Sequence, residues 1–243
     1  MLLARHVLGL TLALAPFAAA AATVTVDDGT ASWSSSGFTH GLVGQGEDRL
    51  SWGLPHADGG GQLSYYDFDP AADGTGGTED EKFLLGTFTH GNFAIRRLED
   101  GAIDSAELDF NVSLTFDLDG VSYTELFDFE WLFLHNETYN QASLCANGAA
   151  NKVGVNINGC ADQVQFNADA ETYELAYAEG IVTLEILGFD PGTSFWTIEN
   201  QANPTNLYAR FSFEPAAVPL PAAGWLLLGG LGALAVVRRR ARG

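Results

Sequence analysis

The clearest pattern in the chain is an alternation of apolar and polar side chains between residues 108 and 118. Every second position is apolar, and the positions between them carry Asp, Asn, Ser or Thr. A two-residue period predicts a β-strand with one buried face and one solvated face. Asp119-Gly120 follows, and a second run rich in apolar and aromatic residues extends over 121–134. Because Asp-Gly between two such runs is a strong signal for a tight turn, we predict a β-hairpin here.

Shorter runs of the same character recur along the central part of the chain. A second hairpin is predicted for 172–177 and 181–189, with its turn at Glu179-Gly180. Residues 70–80, rich in Gly, Asp and Thr, are predicted to be an exposed loop. Further strands are predicted at 50–53, 63–68, 83–95, 163–166 and 207–213. Since the central region has no helical stripe, we predict an all-β fold, an antiparallel and jelly-roll-like β-sandwich.

The amino-terminal end has the organisation of a secretory signal peptide. A positive charge at Arg5 precedes an apolar run over 7–15, and small alanines lead up to Ala22. This order of features is typical of a secretory signal peptide, and we expect cleavage near Ala22. The alternative is an ordinary buried helix. We therefore divide the chain into a signal peptide (1–22), a sandwich domain (23–214) and a tail (215–243).

The tail combines a proline-containing motif, an apolar run and a basic cluster. Residues 222–237 carry no charge and number sixteen, slightly fewer than the ~20 of a full membrane span. Arg238, Arg239 and Arg240 close the run, and the positive-inside rule keeps such a cluster in the cytoplasm. We therefore predict a C-terminal transmembrane helix.

The motif ahead of this helix consists of Val218, Pro219, Leu220, Pro221 and Ala222. With the helix and the arginines it resembles the PEP-CTERM class of bacterial sorting signals, in the variant that begins Val-Pro-Leu-Pro-Ala. The resemblance implies that an exosortase-type membrane peptidase recognises the motif, removes the helix and passes the protein from the inner membrane to the cell surface. Leu220 stands where the type motif has Glu, which leaves the processing enzyme open. The alternative is a permanent single-pass anchor.

The net charge excludes one class of partner. The chain has a formal charge of −20, and five arginines lie in the two ends, so residues 23–217 carry −25. Such a surface repels phosphate backbones, and we expect no nucleic-acid binding. Outside the cell, the same charge could hold Ca²⁺ loosely, which is the one cofactor that we consider.

Cys145 and Cys160 are the only two cysteines of the chain. In an exported protein such a pair predicts one disulfide, which would close a loop of about fifteen residues and stabilise the fold by ~3 kcal/mol. The alternative, a metal or catalytic thiol, is disfavoured because no histidine or third cysteine lies at ligand spacing.

The most distinctive internal string contains Thr89, His90 and Asn92. On a strand, His90 and Asn92 point to the same face as Phe88, and Thr89 points to the other. The two polar side chains could bind a ligand or handle a proton. Alternatively they bond neighbouring backbone at a strand end, where Gly91 allows a bulge. We favour the second interpretation, because no carboxylate or nucleophile is adjacent in sequence.

The same string, after Leu85-Gly86, resembles the motif that defines the THxN family of PEP-CTERM proteins. The likeness covers roughly residues 50–210, and Tyr139 stands where we would expect Pro. The resemblance implies a destination and a fold, but no activity. Its other supporting strings are Ser51-Trp52-Gly53, Glu137-Thr138-x-Asn140, Gly159-Cys160-Ala161-Asp162 and Glu199-Asn200.

Two pairs of aspartates and two histidines give weaker signals of a binding or catalytic site. Asp117 with Asp119, and Asp67 with Asp69, have oxygen ligands suited to calcium, but neither pair continues into an EF-hand. We therefore interpret both pairs as parts of turns and solvated strand faces. His56 and His135 are each isolated in sequence and are expected in loops or at the surface.

We expect an exported, non-catalytic protein. Its resemblance to the PEP-CTERM sorting class, which is associated with bacteria that make extracellular polysaccharides, implies a structural or adhesive component of the cell envelope or of an extracellular polysaccharide matrix. Four tryptophans could stack against sugars, although core positions are favoured for each; they are Trp33, Trp52, Trp131 and Trp196. The alternative is a secreted hydrolase, or a calcium-stabilised carbohydrate-binding module, that uses His90 and nearby carboxylates.

Overall fold

A computed structural model describes residues 21–36, 41–96, 103–167, 171–190, 192–217, 230–231 and 238–240. The fold is all-β, as predicted, with two short 3-10 turns at Ala57–Gly59 and Gly154–Asn156. The strands are β1 (Thr23–Ser34), β2 (Arg49–Trp52), β3 (Ser64–Pro70), β4 (Gly76–Thr78), β5 (Lys82–Asn92), β6 (Ser105–Leu118), β7 (Val121–Asn136), β8 (Asp162–Asn167), β9 (Thr172–Ala176), β10 (Gly180–Phe189), β11 (Ser194–Thr197) and β12 (Gln201–Pro215).

The strands form two antiparallel six-stranded sheets. The order in the first sheet is β11-β8-β7-β6-β1-β4, and the order in the second is β2-β3-β5-β12-β10-β9. A single cluster of buried hydrophobic side chains draws on both sheets. The predicted antiparallel sandwich is therefore confirmed.

Both predicted hairpins are present. β6 and β7 pair from Leu118↔Val121 at the turn to Ser105↔Leu134 at the far end. At the turn, Asp119 and Gly120 have φ values of 52° and 84°, the left-handed backbone that a type I′ turn requires. Every apolar position of the alternating run in β6 is buried. β9 and β10 pair in the same way on either side of the second turn.

The structure also has three strands that the sequence pattern did not predict: β1, β4 and β11. The alternation in β1 is interrupted by a bulge between Val26 and Asp28, which hides its period. β4 lies inside the predicted loop 70–80 and pairs with β1, and Pro70 is the last residue of β3, so that prediction was wrong over four residues. Gly76 makes this pairing possible, because a Cβ at that position would lie 2.0 Å from the Val24 carbonyl oxygen.

Aromatic side chains dominate the core. Trp33 lies within 6 Å, between ring centroids, of Tyr66, Phe88 and Phe133. Trp33, Trp52 and Trp131 are buried, so they cannot stack against sugars. Trp196 is partly exposed.

The predicted disulfide between Cys145 and Cys160 is confirmed, with a Cα–Cα distance of 5.2 Å. It closes a loop between β7 and β8 that contains the second 3-10 turn. Asn156, in that turn, is fully buried and exchanges two hydrogen bonds of 3.0 Å with the side chain of Asn147. The loop is thus held by a covalent bond and by its own amide groups.

The two ends of the chain fall mainly outside the described residues. This holds for residues 1–20 of the predicted signal peptide, for the motif Val218–Ala222 and for most of the predicted transmembrane helix at 222–237. Among the described residues, no helix has the length and apolar character needed to cross a membrane. Residues 238–240, the arginine cluster, are helical and exposed.

Candidate functional site

The inner face of β5 carries the motif side chains into the core. Phe88, His90 and Asn92 are fully buried, whereas Thr89 is partly exposed on the opposite face. The predicted orientation of the motif is therefore confirmed. The predicted bulge at Gly91 is wrong, because the pairing of β5 with β12 runs without a shift from Asn92 to Gly86 and shifts only beyond that point.

A second histidine and a carboxylate from the facing sheet meet the motif. His135 lies near the end of β7 and Asp162 begins β8. One ligand atom from each of His90, His135 and Asp162 lies within 4.8 Å of the others, and all three residues are buried. The two imidazole centroids are 5.1 Å apart with the rings perpendicular. Three strands from two sheets thus place their polar groups together.

The expectation that His135 lies in a loop or at the surface is wrong. Its residue exposure is 7% and its side chain is fully buried. The alternation in β7 contained the signal that would have placed it: from Phe127 to His135, every second side chain is buried. A histidine that continues an inward-facing series must lie in the core. His56, by contrast, has a 44% exposed side chain beside the first 3-10 turn.

Thr197 on β11 organises the motif side of the cluster. Its Oγ1 lies 2.8 Å from Nδ1 of His90, and it donates a hydrogen bond of 3.1 Å to the Asp162 carbonyl. The amide of Asn92 donates to the Thr197 carbonyl at 3.1 Å. Asn92 therefore bonds backbone, but the backbone of the other sheet, and its amide also lies 3.4 Å from Thr197 Oγ1. His90 bonds a side chain of the other sheet.

His135 has two polar neighbours. Its Nδ1 lies 2.8 Å from the hydroxyl of Tyr66, and its Nε2 lies 3.3 Å from Oε2 of Glu137. The indole of Trp52 stacks on His90 at 5.8 Å and meets His135 edge-on at 5.2 Å. The imidazoles are thus fixed by hydrogen bonds and enclosed by aromatic rings.

Three acidic groups surround the histidines, and burial opposes their ionisation. Burial and the charge of Glu137 raise the pKa of Asp162 well above its usual value. Burial and the charge of Glu199 raise the pKa of Glu137 to about 8. Burial also raises the pKa of Glu199 to about 7, against hydrogen bonds from Asn140 and Asn92 and the positive charge of Lys152, which lower it.

Burial acts on the two histidines in the opposite direction. It lowers the pKa of His90 well below 6.5, and the neighbouring His135 lowers it further. The pKa of His135 is also lowered by burial, although Asp162 and Asp104 partly offset the effect. Desolvation disfavours the charged form of each group. Burial therefore favours the neutral form of each acid and each histidine in the cluster.

Several buried polar atoms of the cluster have no hydrogen-bond partner among the described residues. They include Nε2 of His90, Oδ1 of Asn92 and Oδ2 of Asp162. The other Asp162 oxygen accepts from the backbone N–H of Thr138 at 2.6 Å. Each buried polar atom without a partner costs about 1–3 kcal/mol. Such a concentration of them in one place indicates a site rather than a packing accident.

The loop closed by the disulfide covers this site. Thr138 Oγ1 donates to the carbonyl of Cys160 at 2.9 Å, and the Asn158 amide donates to the Glu199 carbonyl at 3.0 Å. Gly159 permits close contact, since a Cβ there would lie 2.5 Å from Oδ1 of Asn140. The segments that the THxN resemblance singled out around residues 137–140, 159–162 and 199–200 thus lie next to the motif in three dimensions.

The weak calcium candidates lie elsewhere and have structural partners. Asp117 accepts a hydrogen bond of 3.0 Å from the backbone N–H of Gly120, and Asp119 is a turn residue with positive φ. Asp67 lies 2.5 Å from Arg49 in an ion pair. Among the described residues, the group with the geometry of a metal site is His90, His135 and Asp162.

The arrangement can hold a cation or share protons among its acids. His90, Asn92 and Asp162 are each 0% exposed, so a substrate cannot contact them in this conformation. A search of the known protein families finds no model that matches this chain. A search of the curated proteins finds no match either.

Proposed function

We propose that the chain is an exported, non-catalytic protein of the cell surface, a structural or adhesive component of the envelope or of an extracellular polysaccharide matrix. The observation that supports this proposal best is the complete burial of His90 and Asn92. A hydrolase needs its acid, base and nucleophile within reach of a substrate, whereas these side chains face the interior of the sandwich. We infer that the motif maintains the fold.

The proposed destination rests on three features of the chain. They are the signal-peptide pattern at 1–22, the sorting-type tail at 215–243 and the charge of −25 between them. The disulfide agrees with an oxidising compartment. We propose that the chain belongs to the THxN family, that its tail spans the inner membrane in the precursor, and that an exosortase-type peptidase processes it.

We further propose that the sandwich is jelly-roll-like. Strands that follow one another along the chain change sheet, as β3, β4 and β5 do, and this alternation supports the classification.

Intact mass of the protein released from the cell surface tests the destination. The full chain is expressed in a bacterium that makes extracellular polysaccharide, and the cells are fractionated. We expect a surface form that begins at or just before Ala22 and lacks the helix after Ala222. A mass that still includes Trp225 to Gly243 would contradict sorting and would indicate a permanent anchor.

Binding to polysaccharide isolated from the same cells tests the adhesive role. Trp196, the partly exposed tryptophan among the four, is the position to vary. Retention of the wild-type protein and weaker retention of Trp196→Ala would support adhesion. If the polysaccharide retains neither protein, the adhesive role is wrong and the structural role remains.

The second candidate is a secreted hydrolase, favoured by the convergence of His90, His135 and Asp162. Its test is the release of reducing sugar or acyl groups from the same polysaccharide, with Asp162→Asn as the inactive control. Turnover by the wild type alone would overturn the non-catalytic proposal.

A further inference from the structure

The buried cluster has the donor set of a metal site. His90 and His135 supply imidazole nitrogens and Asp162 supplies a carboxylate oxygen, with the three ligand atoms within 4.8 Å of one another. The atoms that remain free for an ion are Nε2 of His90 and Oδ2 of Asp162, which are buried and have no hydrogen-bond partner among the described residues. We propose that His90, His135 and Asp162 bind a divalent transition-metal ion of the zinc class, with Glu137 as the fourth ligand.

Glu137 lies outside the group of three whose ligand atoms are within 4.8 Å of one another, so its side chain must move to reach the ion. Its distance from His135 makes it the fourth ligand. Two atoms bound tetrahedrally to one zinc ion, at ~2.0–2.2 Å each, lie about 3.4 Å apart. Nε2 of His135 and Oε2 of Glu137 are separated by 3.3 Å. The same distance is long for a hydrogen bond, whose usual range is about 2.7–3.2 Å. The pair therefore has the spacing of two ligands on one ion.

The groups behind the ligands have the arrangement that metal-binding histidines need. The second ring nitrogen of a ligating histidine usually bonds a polar group that fixes the ring. Nδ1 of His90 lies 2.8 Å from Thr197 Oγ1, and Nδ1 of His135 lies 2.8 Å from the Tyr66 hydroxyl. Both Nε2 atoms are thereby directed at the ion. The first three ligands lie on β5, β7 and β8, which makes the geometry rigid.

The donor set selects the class of ion. Calcium and magnesium take mainly oxygen ligands, and calcium needs about six to eight of them. Two imidazoles and one or two carboxylates suit zinc. Two histidines and one carboxylate also bind ferrous iron in oxygenases, but that chemistry requires open positions on the metal. The first three ligands are buried and Trp52 stacks on His90, so we assign a closed structural site.

Metal analysis of the full chain tests the assignment. The protein is purified without chelator, and its zinc, iron and calcium are measured by plasma mass spectrometry. It is then unfolded with the disulfide intact, stripped with EDTA, refolded and melted with Zn²⁺ or Ca²⁺. We expect about one zinc per chain. At a hundredfold excess over Kd, Zn²⁺ should raise Tm by roughly 5–10 °C, and Ca²⁺ should not.

The proposal is overturned if the protein contains no zinc and Zn²⁺ leaves Tm unchanged, or if Ca²⁺ raises Tm as much. Stoichiometric iron would overturn the choice of metal. A zinc protein that stays inside the cell would contradict the proposed export and leave this site intact, since the two inferences are independent.

Variants locate the ion. His90→Gln and Asp162→Asn should weaken Zn²⁺ binding at least tenfold, whereas His56→Gln, which alters an exposed histidine, should bind as the wild type does. Unchanged binding by the first two variants would overturn the assignment. If they fail to fold, the wild type loaded with Co²⁺ decides the question. Visible absorption bands of a tetrahedral ion that one equivalent of Zn²⁺ removes would support the site, and their absence would overturn it.

Discussion

Gly91 occupies the variable position of the Thr-His-x-Asn motif, and Tyr65 on the neighbouring strand explains why it is glycine. A Cβ built on Gly91 would lie 2.0 Å from Cε1 and 2.4 Å from Cδ1 of the Tyr65 ring. Carbon atoms in contact are about 3.5–4.0 Å apart. The ring must therefore move by roughly 1.5 Å when alanine replaces glycine, and its other contacts are disturbed.

Those contacts set the size of the effect. The Arg49 guanidinium lies 4.3 Å from the Tyr65 ring centroid, and the Phe93 ring lies 6.3 Å away. Loss of the Arg49 contact costs about 0.5–1 kcal/mol, and loss of the Phe93 contact costs about 0.5–1.5 kcal/mol. Alanine in a strand contributes about 0.5–1 kcal/mol in the opposite direction. We expect Gly91→Ala to lower the free energy of unfolding by about 1 kcal/mol, and Tm by about 2–4 °C.

A double-mutant cycle measured by urea denaturation isolates this contact. In Tyr65→Ala, the ring is absent, and Gly91→Ala should be neutral or should stabilise by up to about 1 kcal/mol. In Tyr65→Phe, the ring remains, and the full cost should return. Equal destabilisation by Gly91→Ala in all three backgrounds would refute the reasoning, because the cost would then come from somewhere other than the Tyr65 ring.

Four further predictions concern the buried cluster and its surroundings. Tyr66→Phe removes the hydroxyl next to Nδ1 of buried His135, so it should lower the free energy of unfolding by about 1–3 kcal/mol, whereas Tyr65→Phe should change it little; denaturation of both variants checks this. Reduction of the disulfide should cost about 3 kcal/mol and lower Tm by roughly 6–12 °C, and an unchanged melting curve would contradict it. The pKa of Glu199 is raised from 4.5 to about 7, so its protonated form stabilises the metal-free fold. Compared with Glu199→Gln, the wild type should therefore lose stability as pH rises from 4.5 through 7. Parallel profiles of stability against pH for the two proteins would contradict this. Ala22 is buried in the core, and its carbonyl accepts a hydrogen bond from Glu79, so the mature protein should retain it; amino-terminal sequencing that begins at Thr23 would be the contrary result.

The sequence predicts those parts of the fold whose cause is local. The hairpin of β6 and β7 follows from strict alternation and from the left-handed backbone that Asp119-Gly120 adopts. The strands that escaped prediction owe their pairing to distant residues. β4 has three residues, two of them glycine, and exists because Gly76 can approach the Val24 carbonyl on β1. A composition typical of a loop can therefore form an edge strand when a partner strand is available.

The sequence likewise predicted only part of the site. The orientation of His90 and Asn92 followed from the period of β5. Their partners could not be found in the same way, because the closest, Thr197 and His135, come from another sheet and are separated from the motif by long stretches of chain. Proximity of that kind depends on how the sheets are stacked, which a local pattern does not encode. The absence of a carboxylate next to the motif in sequence was therefore a poor guide to its chemistry.

The cluster also affects how the two sheets are aligned. An apolar sandwich core tolerates small shifts of one sheet over the other, since dispersion contacts have little direction. Here His90 on the second sheet must meet Thr197 on the first, and Tyr66 must meet His135, each at 2.8 Å. A shift that breaks either contact leaves a buried polar group without a partner, which costs more than the contact contributes. Thr138, which follows β7 and precedes the disulfide-closed loop, donates its backbone N–H to Asp162 and fixes that carboxylate. The polar centre thus stabilises one stacking of the sheets against its alternatives. The cost is the desolvation of its acidic groups, because burial opposes their ionisation.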